Sequence, residues 1–252
     1  MNSQRDQVKV YFDELAASYS KKYSTARPYH AYFFHKRLLL ATQGFDLEGK
    51  TILDIGGGTG ALYDYLEENV EKFNYFAFDI SEKMLDQSNI PENQRFVGDL
   101  EKIDFPVKHF DFIFLLGVTT YLSKEELNKY LQFISRNSSL ESISIITFTN
   151  RNAIDYYLRK GVGLFAKIFY KNKSLLTQSF PTSSFSIAAI ESLLKEQFHI
   201  TKCQWFNFTY SPFNYIFPKF SVKFSKFLDA KLNSSQLQKL LGADIILFLK
   251  KK

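Results

Sequence analysis

Apolar positions along the chain follow two spacings in turn. Short, nearly continuous apolar runs occur at 51–55, 73–79, 94–97, 110–116, 143–149, 199–206 and 243–249. Such runs read as strands buried on both faces of a sheet. Between them the apolar residues recur at helical spacing. Examples are Leu62, Tyr65 and Leu66, then Leu127, Tyr130, Leu131 and Ile134, then Ile190, Leu193 and Leu194. Strand and helix alternating in this way predict an α/β fold with a mostly parallel sheet. Two further helices precede the first strand. Val8, Tyr11, Phe12, Leu15 and Tyr19 share one helical face, and Pro28 opens a second helix through Phe33, Phe34, Arg37, Leu38 and Leu40.

Turn residues supply the chemistry. The first strand runs straight into Asp54-Ile55-Gly56-Gly57-Gly58-Thr59-Gly60, with four glycines in five positions. Glycine permits positive φ and lets a ligand come close to the backbone, so this loop predicts a cofactor held at the C-terminal end of the first strand. Thr59 is expected to cap the helix that follows. Gly56-x-Gly58-x-x-Ala61 also fits a loose dinucleotide fingerprint. Asp54 separates the alternatives, because a pyrophosphate favours a helix N-terminus, whereas a carboxylate suits a cationic ligand.

The stretch from Asp54 to Gly60 resembles the first motif of the class I S-adenosylmethionine-dependent methyltransferases of small-molecule type: an acid, any residue, then Gly-x-Gly-x-Gly. The resemblance is strong over about 45–150. It implies a Rossmann-like seven-stranded sheet with the last strand antiparallel and helices on both faces. S-adenosyl-L-methionine is the implied cofactor. The implied cofactor residues are Asp54, Gly56, Gly57, Gly58, Thr59 and Gly60. Asp79, at the end of the second strand, would hold the ribose hydroxyls, with Ile80 against the adenine and Met84 nearby. Asp99 after the third strand would bond the adenine amino group, beside Leu100. Leu116 ends the fourth strand, where Gly117 to Leu122 face the transferred methyl. Asp79 could instead cap its helix, and Asp99 could be a solvated turn residue.

The ends of the chain add a lid and two insertions. Phe12-Asp13-x-x-Ala16-x-x-Tyr19 is similar to the N-terminal cap of many small-molecule methyltransferases, so residues 1–44 read as a helical lid over a methyltransferase domain at 45–252. Tyr19, Arg27 and His30 are the lid residues expected to reach cofactor or substrate. Insertions at about 151–183 and 210–241 would build the acceptor pocket. No catalytic base announces itself; Tyr121, His30 and Tyr19 are candidates. His109 precedes its strand, at the end away from the site. The second insertion interleaves Phe220, Phe224 and Phe227 with Lys219, Lys223 and Lys226. It reads as an amphipathic packing helix with buried rings and solvated lysines, or as a peripheral membrane or lipid contact through 210–228.

Composition narrows the classes. With 252 residues, 27 Phe, 15 Tyr and a formal net charge of +6, the chain is globular and basic. A single cysteine, Cys203, excludes an internal disulfide and a cysteine metal cluster, and fits a reducing compartment. The absence of a signal-like leader and of a long apolar run predicts a cytoplasmic protein. The loop after the fourth strand lacks the Asp/Asn-Pro-Pro-Tyr/Phe motif of enzymes that methylate planar amino groups, which argues against a nucleic-acid acceptor. A small-molecule acceptor is expected. Two other readings remain open: a non-catalytic relative that binds cofactor or partner, and a nicotinamide-dependent oxidoreductase. Oligomeric state is not legible.

Overall fold

The computed structural model describes residues 3–20, 28–169, 181–232 and 234–252. Its centre is a seven-stranded sheet made of β1 (Thr51–Ile55), β2 (Asn74–Asp79), β3 (Arg95–Val97), β4 (Phe110–Leu115), β5 (Ser138–Thr149), β6 (Phe198–Phe206) and β7 (Asp244–Lys251). The spatial order is β3-β2-β1-β4-β5-β7-β6. The first five strands pair in parallel, and β7 runs antiparallel between β5 and β6. The expected sheet and its antiparallel insertion are therefore present. β5 begins five residues earlier than the apolar run indicated. Its ladder with β4 is irregular there, Ser138 pairing Phe110 before Ile143 takes Phe112. The polar start of this strand has no apolar period to reveal it.

Alternate residues of each strand feed opposite faces of the sheet. Leu53, Ile55, Phe76, Phe78 and Ile113 pack on one face, under α5 (Lys124–Arg136) and α7 (Ile187–Leu194). Ile52, Phe112, Phe114, Ile145 and Phe248 pack on the other, against α2 (Pro28–Thr42) and α3 (Ala61–Asn69). Several caps are those the sequence predicts. Ser123 and Glu126 form a capping box on α5, Ser186 caps α7, and Ser81 caps the short α4 (Glu82–Leu85), its Oγ accepting from Met84 N at 3.2 Å. Thr59 does not cap α3. Gly60 holds that position with φ 80°, a left-handed conformation that a threonine tolerates poorly, and no side chain bonds the exposed amides.

The remaining elements surround the C-terminal ends of the parallel strands. α1 (Gln4–Tyr19) precedes α2, and α6 (Ile154–Phe169) opens the first insertion. The second insertion folds as α8 (Phe213–Ile216), α9 (Pro218–Lys231) and α10 (Ser235–Leu241). α9 is helical as expected, but its rings are not its buried face. Ser221 and Ser225 are buried, whereas Phe220, Phe224 and Phe227 are exposed. The expectation of a ring-buried packing helix is thus overturned: α9 lies on α2 through its serines.

Candidate active site

The first three parallel strands deliver one functional loop each to the same edge of the sheet. After β1 the glycine loop turns sharply, Gly56 and Gly57 donating to the Phe78 carbonyl of β2 at 2.7 and 3.1 Å. Gly56 has φ 82°, and a Cβ there would lie 2.2 Å from Val118. No other residue fits that position, because the loop after β4 closes directly on it. Asp54 lies beneath the loop, 4% exposed, its Oδ2 accepting from Tyr75 Oη at 2.7 Å. Asp79 at the end of β2 accepts from Gly58 N through Oδ2 and from Ser81 N through Oδ1, both at 2.9 Å. Holding the two loops together occupies part of this carboxylate.

Both acids are held above the ordinary carboxylate range. Burial pushes each up to about 6, while the Tyr75 bond draws Asp54 back down and backbone amides do the same for Asp79. Each charge also opposes its acidic neighbours, Asp79 acting on Asp54 and Asp13 acting on Asp79. Two buried, charge-starved carboxylates in one cleft form a site for a cation or for hydroxyl donors.

The cleft is walled by Gly56, Gly57, Gly58, Ile80, Met84 and Leu116, together with the two acids. These are eight of the expected cofactor residues. Val8, Phe12 and Tyr19 of α1 close it from above, and Tyr121, Leu122 and Tyr130 complete the wall beyond β4. Four expected residues do not line it. Thr59 is buried behind the loop, and a Cβ on Gly60 would point at Ser88 and Ile90. Leu100 is a core residue. Asp99 is partly exposed and pairs with Arg5 at 3.3 Å and Lys102 at 3.7 Å; burial raises its carboxyl, but the Arg5 bond and charge, the Glu101 amide and Lys102 together hold it below the usual range. Arg27 lies outside the described residues.

α1 is tied to all three loops that follow β2, β3 and β4. Asp13 accepts from Ser81 Oγ at 2.5 Å. Arg5 bonds Asp99 and the Gly98 carbonyl. Gln4 Nε2 donates to the Tyr121 carbonyl at 3.1 Å. Phe12 meets Tyr121 edge-on at 5.0 Å. The N-terminal helix thus roofs the cleft.

A second, larger cavity of about 750 Å³ opens beside the first. Tyr19, Arg37, Gly117 and Tyr121 line both, so the two meet there. Tyr29, His30, Phe33 and Tyr215 give the larger space an aromatic wall. Its polar part includes Asp155 and Arg159 of the first insertion, Asn207 after β6 and Asp244 of β7: Asp155 pairs with Arg159 at 2.5 Å and accepts from Ser211 N, and Asp244 accepts from Asn207 at 2.6 Å. His30 therefore belongs to the second cavity, and Tyr19 and Tyr121 to the junction.

Arg37 is the residue that sequence reading did not single out. Its guanidinium stacks near Phe33 and Phe34, 5.5 and 4.8 Å from their ring centres. Its Nη1 crowds Gly117, where a Cβ would lie 2.3 Å away. Its Nε is buried without a hydrogen-bond partner among the described residues. The available signal was an arginine on the apolar face of a predicted helix, between Phe33, Phe34 and Leu38. His109 is exposed, at the start of β4 and away from both cavities. No group of three or more metal-ligating side chains occurs among the described residues.

Residues 52–138 match a family model described as a methyltransferase domain. Solved structures share the architecture over almost the whole chain. Magnesium protoporphyrin IX methyltransferase from Synechocystis, with S-adenosylhomocysteine bound, aligns over 99% of this chain and 100% of its own, with a TM-score of 0.62 and 15% identity. Residues 52–138 thus match a methyltransferase domain, within a chain that has the class I methyltransferase fold. A possible histamine N-methyltransferase from Thermotoga maritima aligns with this chain at a TM-score of 0.56 and 18% identity, covering 97% and 99% of the two chains. An N-methyltransferase from Bradyrhizobium japonicum aligns at 0.58 and 9%, covering 98% and 99%. At these identities the likeness concerns the fold. No curated protein matches the chain by sequence.

Proposed function

We propose that this protein binds S-adenosyl-L-methionine in the narrower cleft and passes its methyl group to a small-molecule or lipid-like acceptor in the larger cavity. The observation that carries the reading is the junction: an acid-lined cofactor cleft and a roomy aromatic cavity meet at Gly117. Asp54 under the glycine loop meets the cofactor ammonium, directly or through water. Asp79 takes the ribose hydroxyls, with Ile80 and Met84 beside the adenosine. Arg37, with an unpaired buried N–H, suits the cofactor carboxylate, since a guanidinium pairs planar anions bidentately.

The reaction is direct displacement at the sulfonium carbon. The acceptor atom attacks in line, the C–S bond breaks, and its electron pair leaves with the thioether. Alignment and exclusion of water supply most of the rate in such a step, which suits a cleft roofed by Val8, Phe12 and Tyr19. An acceptor that must lose a proton needs a base near the junction. Tyr19, Tyr121 and His30 are the groups placed there or in the cavity beyond.

Titration calorimetry with S-adenosylmethionine tests the reading. Asp79→Asn removes the charge while keeping the shape, and affinity falls about 10- to 150-fold, the equivalent of a charged hydrogen bond. Arg37→Met keeps the apolar stem and loses affinity on the same scale, while S-adenosylmethionine analogues lacking the carboxylate bind wild type and Arg37→Met alike. Binding of NAD(H) in place of S-adenosylmethionine overturns the cofactor assignment. Binding without turnover to S-adenosylhomocysteine across an acceptor panel favours the non-catalytic relative.

A further inference from the structure

The outer surface of the second insertion is built in reverse of an ordinary packing helix. α9 faces α2 with Ser221 and Ser225, the latter fully buried. Ser225 Oγ lies 3.4 Å from Tyr32 Oη, which donates to Asp229 at 2.6 Å, and Lys36 reaches the same carboxylate at 3.3 Å. Small and polar residues thus hold the helix down, and its rings turn outward. Phe220 is 68% exposed, Phe227 57% and Phe217 58%, and Phe213, Tyr215 and Ile216 of α8 are exposed to a similar degree. Phe220 and Phe224 stack at 6.3 Å on the open surface. A cluster of large apolar side chains this dense is the mark of a contact surface, not of scattered exposure.

Its charges identify the contact. Lys219, Lys223 and Lys226 are exposed on the same helix, while Asp229, its one acid, turns inward to Tyr32 and Lys36. Rings beside a row of lysines, with no opposing acid, fit an apolar layer capped by negative headgroups. A second copy fits poorly, since a two-fold contact through this face would set lysine row against lysine row. The patch is continuous with the site, because Tyr215 belongs both to it and to the wall of the larger cavity.

We propose that the outer face of α8 and α9 docks the protein reversibly on an anionic lipid bilayer. Docking stands independently of methyl transfer; only its consequence, an acceptor drawn from the lipid phase into the larger cavity, rests on the reading above. Residues of the patch serve in neither the cofactor cleft nor the sheet, apart from Tyr215 at the cavity wall.

Sedimentation of the full chain with phosphatidylcholine vesicles, with and without phosphatidylserine, tests this at low and high salt. The expected result is binding to the anionic vesicles at low salt that high salt removes, since exposed charges are screened within about 10 Å at 0.1 M. The variant Lys219→Gln, Lys223→Gln, Lys226→Gln loses on the order of 100-fold in partitioning, about fivefold per lysine. The variant Phe220→Ser, Phe227→Ser weakens binding to the anionic vesicles at low salt. No binding to anionic vesicles at low salt overturns the proposal, and so does binding that the lysine variant leaves unchanged. A dimer in light scattering that the phenylalanine variant disperses assigns the face to a second copy and also overturns it. S-adenosylmethionine affinity, measured on the same variants, stays at the wild-type value. Failure to dock is thereby separated from failure to bind cofactor.

Discussion

The two buried acids link stability to function at the level of single residues. Asp54 and Asp79 have folded-state pKa values raised to about 6, chiefly by burial. A raised carboxylate favours the protonated folded state. Its contribution to stability is therefore complete below the unfolded value and is lost as pH rises through about 6. The cofactor-free protein is expected to melt higher at pH 5 than at pH 7.5. Asp54→Asn keeps an acceptor for Tyr75 and removes the charge, so it raises the melting temperature at pH 7.5 and has no effect near pH 4. Binding runs the other way. A cationic ligand needs the ionised acid, so wild-type affinity weakens as pH falls below about 6, and Asp54→Asn is weak throughout. Calorimetric melts and binding isotherms across this range check both signs. A variant that binds well and is no more stable removes Asp54 from the cation site.

Among the elements, α1 combines a small core of its own with several contacts to the cleft. Only Val8 and Ala16 are buried along its length. Its hold on the domain comes from Gln4, Arg5 and Asp13, one tie to each loop of the cleft. The Arg5–Asp99 pair, half-exposed, contributes about 0–1 kcal/mol, and Asp13 meets the buried Ser81, so the roof is held by few bonds and is suited to opening for cofactor exchange. Arg5→Ala removes the contacts to Asp99 and Gly98. It is expected to leave the melting temperature within about 1–2 °C, since exposed pairs are worth little at this chain length. It should raise the S-adenosylmethionine dissociation rate severalfold, read by stopped-flow fluorescence. An unchanged dissociation rate would show that α1 does not gate the cleft. The same element explains Asp99, which the motif pattern assigns to adenine. In the folded chain it also bonds Arg5 of α1.

At the scale of the whole molecule, the parallel strands carry their loops to one edge, and the two insertions extend that edge outward. No helix among the described residues is long and apolar enough to cross a membrane; the proposed lipid contact is a surface one. The alternation of strand and helix, the glycine loop, Asp54 and Asp79 were all legible in the sequence, because each depends on neighbours a few positions away; the antiparallel place of the last strand was implied only by the family resemblance. Apolar period selects strand or helix, glycine follows from φ, and an acid closing a strand is placed by the strand itself. Thr59 was misread because a capping residue and a left-handed glycine compete for one helix start, and only backbone geometry decides between them. Three features were settled by tertiary structure alone. Arg37 reaches the junction because α2 packs beside Gly117, 80 positions further along the chain. The bonds that tie α1 to the loops of the cleft, although a lid was expected there, run to partners 68 to 117 positions away. The rings of α9 face outward because close approach to α2 favours serine at the contact and leaves Asp229 to bond Tyr32 and Lys36. Hydrophobic period states which residues share a helical face; which face is buried depends on what the helix meets.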